Sequence, residues 1–123
     1  MAEAKMRERQ VIAFSCAAPE AFTPRLADAL KAALSGRYPG HVLRRFSDLA
    51  MAPDHPALVL SVRLVVEVGS NTATGHLEWR HGAAGRFRRG PATAAEMADN
   101  PPTRQQAKHF VQAVFAATPG FGR

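Results

Sequence analysis

Cysteine occurs once in this sequence, at Cys16, so no disulfide can form within the chain and cysteine usage does not choose between compartments. Long apolar runs are absent. No stretch approaches the roughly 18 apolar residues of a membrane span. The run Val11-Ile12-Ala13-Phe14 is shorter than the roughly 7–15-residue core of a signal peptide. The expectation is a cytoplasmic protein, or a periplasmic one whose leader has been removed. Acids are scarce relative to bases: 10 Asp and Glu stand against 16 Lys and Arg, leaving a net charge of +6. Of those bases 13 are Arg and 3 are Lys, spread along the chain. The excess suits solubility, or contact with nucleic acid or an anionic surface.

Several chemistries lack their residues. No Ser/His/Asp set has a nucleophile elbow, and the acids show no spacing suited to an acid/base pair. Gly85 and Gly90 are spaced like the ends of a phosphate loop, but Pro91-Ala92 follows where Lys-Ser or Lys-Thr is needed. His76 and Glu78 imitate a His-x-Glu motif without the Pro-Cys-x-x-Cys that completes a deaminase zinc site. Two ligands fall short of the four of a structural zinc. No metal, cofactor or catalytic residue is therefore expected, and the chain reads as no enzyme. Cys16, at a strand end with no histidine at a recognisable spacing, reads as structural rather than nucleophilic.

What is present is pattern. At 123 residues the chain suits one domain with one core. The organising stretch is 57–81. Leu58, Leu60, Val62, Leu64, Val66 and Val68 alternate with residues that include Ser61, Arg63 and Glu67. After Gly69-Ser70-Asn71-Thr72 the parity reverses, and Ala73, Gly75, Leu77 and Trp79 become the apolar set. This is a β-hairpin. A turn at Ser70-Asn71 sets Val62 against Trp79, Leu64 against Leu77 and Arg63 against Glu78.

The flanks are read in the same way. Residues 11–16 form a first strand. Thr23-Pro24 caps and starts a helix with Leu26, Leu30, Ala33 and Leu34 on one face, ended by Gly36. Residues 41–47 form a second strand, and 48–56 a loop. A three-residue turn, 82–84, leads to a further strand. It puts Glu78 opposite Arg88, Arg80 opposite Arg86, and Phe87 beside Trp79. Residues 92–99 suit a helical turn or an extended edge. Thr103 and Gln106 open a last helix with the stripe Ala107, Phe110, Val111, Val114 and Phe115, stopped by Pro119-Gly120. The chain divides into a charged arm (1–10), one domain (11–118) and a short tail (119–123). The order β-α-β-β-β-α predicts an α+β two-layer sandwich: a mainly antiparallel sheet with two helices on its apolar face. Trp79, Phe110, Val114, Leu64 and Leu30 should share its interior.

The opposite face would carry Arg63, Glu67, His76, Glu78, Arg80, Arg86 and Arg88. Arg80, Arg86, Arg88 and Arg89 form the candidate contact surface for an acidic protein or an anionic envelope component. The same charges would also serve simply to guard a sheet edge.

Two resemblances bear on function. His76-Leu77-Glu78-Trp79-Arg80-His81-Gly82, followed by Arg89-Gly90-Pro91, resembles small bacterial envelope proteins. Over residues 11–118 the element order is similar to the amino-terminal domain of the translocation protein TolB and related periplasmic lipoprotein modules. That resemblance implies a non-catalytic envelope accessory or protein-interaction domain. Read from Thr23, the order α-β-β-β-α resembles double-stranded-RNA-binding domains, and Arg104-Gln105-Gln106-Ala107-Lys108 resembles the basic opening of their last helix. It implies that Arg104 and Lys108 contact phosphate. Only one lysine lies there, and Asn71-Thr72 stands where that family has Gly-Pro-x-His.

Overall fold

The computed structural model describes residues 9–97 and 99–123. Of the charged arm, only Arg9 and Gln10 lie among the described residues. The elements in order are β1 (Val11–Ala17), α1 (Thr23–Arg37), β2 (Val42–Arg45), a 3-10 turn (Leu49–Met51), β3 (Leu58–Val68), β4 (Thr72–Arg80), β5 (Arg88–Arg89), β6 (Thr93–Glu96) and α2 (Arg104–Ala116). The fold is α+β, a mixed sheet under two helices. The strand order is β2-β1-β3-β4-β5, with β6 also on β4. β1 runs parallel to both β2 and β3, while β4 is antiparallel to β3, β5 and β6. No helix among the described residues is long and apolar enough to cross a membrane.

The central hairpin has the register its sequence specifies: Val62 pairs with Trp79, Leu64 with Leu77 and Arg63 with Glu78. Its apolar face meets both helices. Leu30, Leu64, Trp79, Phe110 and Val114 are all buried in one cluster. Every member of the expected stripe on α2 is buried, and the Thr103–Gln106 capping box is formed in both directions. Gly75 lets α2 approach: a Cβ there would stand 2.8 Å from Phe110 Cζ.

Other local expectations are corrected. Helix α1 starts at Thr23, with Phe22 at the cap position and no side-chain cap. Thr23 instead donates its hydroxyl to the carbonyls of Ala18 and Pro19, because Phe22 is drawn into the core. The helix also runs through Gly36 to Arg37. The Arg37 guanidinium lies over the rings of Phe115 and Phe121, at 4.8 and 5.8 Å. Those contacts hold the last turn against the roughly 1 kcal/mol that a helical glycine costs. Gly40, with φ of 87°, takes the left-handed conformation instead. Strand β2 is shorter than expected, Val42–Arg45. Leu58 does not share the face of Leu60. A register shift pairs Val11 with Leu58 but Ile12 with Leu60, and Leu58 turns to the other side, where it joins Ala13 and Leu49.

The register after β4 also differs. Glu78 pairs with Arg89 and Trp79 with Arg88, one residue away from the expected pairing of Glu78 with Arg88. The connection is longer than three residues because Gly82 and Gly85, with φ of 70° and 91°, both bend it. Phe87 accordingly lies on the opposite face from Trp79, against the cluster of Ala13, Leu49 and Leu58. Of the two forms open to residues 92–99, Thr93–Glu96 adopts the extended one, with residue 98 outside the described residues.

Candidate functional site

The polar face of the sheet is centred on Glu78. Its Oε1 accepts from Nε of Arg63 at 2.9 Å and also from Nη2. Its Oε2 lies 2.8 Å from Nε2 of His76. An ionised carboxylate only accepts, so the His76 nitrogen donates. Partial burial pushes the Glu78 carboxyl up. The hydrogen bonds from His76 and Arg63, with the Arg63 charge, outweigh this and hold it below its ordinary value. Sequence reasoning assigned Arg63 and Arg88 to this carboxylate. The second partner is His76, two residues along the same strand and on the same face. That i, i+2 relation was available in the alternation.

Beside this group stands Phe87. The guanidinium carbons of Arg63 and Arg80 each lie 4.4 Å from its ring centroid. Arg63 is paired with an acid, whereas among the described residues Arg80 donates to the Gly85 carbonyl alone, at 3.3 Å, and its Nε is buried without a partner. Arg89 opposes Glu78 and therefore shares the polar face, but makes no ion pair with it. Arg88 opposes Trp79 and so points to the helix side at the sheet edge, while Arg86 lies in the connection. All three are exposed. The four candidate arginines are thus neighbours on one edge, but only Arg80 and Arg89 belong to one face. The expected Arg80–Arg86 pair is replaced by the stack of Arg80 on Phe87. Chemically, this surface offers spare guanidinium donors backed by an aromatic ring, a setting for carboxylates.

Arg104 and Lys108 are elsewhere, on the outer side of the helical layer. With Arg25, Asp28 and Gln112 they border a groove of about 410 Å³ floored by alanines of α1, among them Ala29. The contribution of Arg25 was hidden in the sequence by the distance between the two helices along the chain.

Cys16 is largely buried, which pushes its thiol up to about 11 despite the nearby Arg45 charge, so it carries little thiolate at neutral pH. Among the described residues no group of three or more His, Cys, Asp or Glu could hold a metal ion. No protein-family model matches this chain, and no curated protein matches it either.

Proposed function

We propose that this chain is a non-catalytic protein-interaction module, an accessory domain of the bacterial cell envelope, which captures acidic protein segments on the polar face of its sheet. The reading rests on one observation: Arg80 and Arg89 share that face beside Phe87, and neither has an acidic partner among the described residues. Arg86 and Arg88 flank them and extend the positive field. A bound carboxylate would take the spare guanidinium donors, while an apolar neighbour in the partner would cover Phe87. The test is titration with a fluorescent peptide alternating Glu and Leu, beside a Lys and Leu control. Selective binding of the acidic peptide is expected, weakened at least about tenfold when Arg80 and Arg89 are both serine. Equal binding by that double variant, with an unchanged melting temperature, refutes the surface.

A second reading, contact with RNA, is favoured by the groove that sets Arg25 beside Arg104 and Lys108. Against it, β1 lies between β2 and β3, so the run from α1 to α2 is not a self-contained unit. Duplex RNA affinity that falls linearly in log salt, with a slope flattened by Arg104→Ser and Lys108→Ser, would establish it.

A further inference from the structure

The connection from β2 to β3 crosses the polar side of the sheet without sealing it. Leu49 closes over Ala13 and Leu58. Beyond that point Pro53 and Pro56 restrict the chain, and a cleft of about 580 Å³ remains between the connection and the three parallel strands. Its floor is made by alternate residues of adjacent strands: Val11 and Ala13 from β1, Val42 from β2, with Leu58 from β3. Val11 and Val42 are only half-buried, so the floor is apolar surface left accessible. Met51, 73% exposed, is the large apolar side chain that the described residues leave in solvent, and it immediately precedes the lining residue Ala52.

The charge of the lining has one sign. Arg9 and Arg44 stand at the cleft, and among the described residues no Asp or Glu lines it. Arg44 is opposite Ala13 in the parallel pairing and so shares the floor's face. Both arginines are exposed and have no acidic partner among the described residues. The volume falls within the ordinary range for small-ligand sites, about 300–1,000 Å³. An apolar floor rimmed by two guanidinium groups that have no acidic partner among the described residues is complementary to a molecule with an apolar body and an anionic end. The side chains facing the body are mainly Val, Ala and Leu, with Phe46 and Pro53 beside them; His55, whose Nδ1 accepts from the Ala57 amide at 3.0 Å, is the polar side chain besides the two arginines among the described lining residues.

We infer that this cleft binds an acyl-chain carboxylate, a medium-chain fatty acid in chemical class, with the carboxylate held by Arg9 and Arg44 and the chain laid over Val11, Ala13 and Val42. Phe87 packs on the same small patch, Ala13 and Leu58, that floors the cleft, but Arg80, Phe87 and Arg89 do not line it, so the assignment does not rest on the acidic-segment reading.

The experiment is a titration of the isotope-labelled full chain with decanoate below its micelle concentration, read by amide and methyl shifts. Saturable changes are expected at Val11, Ala13, Val42 and Ala57. Decylamine, with the same chain and opposite charge, should bind at least about tenfold more weakly, and the Arg9→Ser, Arg44→Ser double variant should lose a similar factor for decanoate. Both arginines are exposed, so the variant should melt at the wild-type temperature. Ala52→Trp, which places bulk in the cleft while keeping both charges, should abolish binding. Absence of binding by the full chain, shifts elsewhere on the molecule, or equal binding of decylamine would overturn the assignment. A blocked apolar peptide with a free terminal carboxylate that binds as tightly as decanoate would overturn the acyl chain as occupant.

Discussion

The two faces of this sheet use the same strands and solve different problems. On the helix side, Leu60, Val62, Leu64 and Val66 lie under a continuous layer that includes Leu26, Leu30, Phe110 and Val114. On the other side, Ala13, Leu49 and Leu58 make a small patch, and the remainder is assembled from single contacts: Arg63 on Glu78, His76 on Glu78, Phe87 on two arginines. The first face is held by area, which is non-directional and tolerant of local error. The second is held by directional contacts near solvent, each of small net worth. Stability should therefore reside on the helix face, which leaves the polar face free to vary its chemistry for binding.

Truncation on each side measures that difference. Leu64→Ala removes a fully buried side chain from the middle of the large cluster and should cost roughly 2–5 kcal/mol in denaturant unfolding. Leu49→Ala in the small patch should fall at the bottom of that range, about 2 kcal/mol, because a surface turn can settle into the space. Equal losses would show that the patch is a second core.

The comparison can be sharpened from within β4. Gly75→Ala places a methyl 2.8 Å from the Phe110 ring and should destabilise by about 1–3 kcal/mol through overpacking. The same change combined with Phe110→Leu should cost less than the sum of the two, since the smaller side chain vacates the contested space. Strict additivity in a thermal or denaturant cycle would mean that the helix does not bear on the sheet at this point.

The same division governs what the sequence discloses. The hairpin register is legible because every second one of eight consecutive pairs repeats one instruction, apolar to apolar, with Arg63 against Glu78 as a check. The α2 stripe and its cap are legible for the same reason. The pairing of β4 with β5 is not, because β5 has only two residues and nothing in Arg86, Arg88 and Arg89 distinguishes one register from the next. What settles it is Phe87 packing on a patch made by residues far away in sequence. Leu58 misleads because a bulge reverses its face after the alternation has been counted. The cleft is invisible for a related cause: its floor belongs to three strands, and its wall to a loop whose path the sequence does not encode locally. Of the candidate surface, residue types were readable, but their distribution between faces was not.

The smallest effect tests the directional side of the comparison. Glu78 is ionised more readily in the fold than its ordinary value of 4.5, because His76 and Arg63 both donate to it. Its charged form therefore favours folding. The contribution should be complete above the unfolded value and decline as pH falls through the lower folded value. Arg63 is a third exposed, so screening limits the effect to about 1 kcal/mol. Glu78→Gln should be less stable than wild type at pH 7, and the gap should shrink as pH falls towards 3. Arg63→Met should show the same convergence, since it removes one of the groups that depress the carboxyl. The measurement is the difference in unfolding free energy across that range for each variant. A gap that stays constant would assign Glu78 a packing role. A gap that widens on acidification would require the neutral carboxyl to be the favoured form, contrary to the pairing with Arg63.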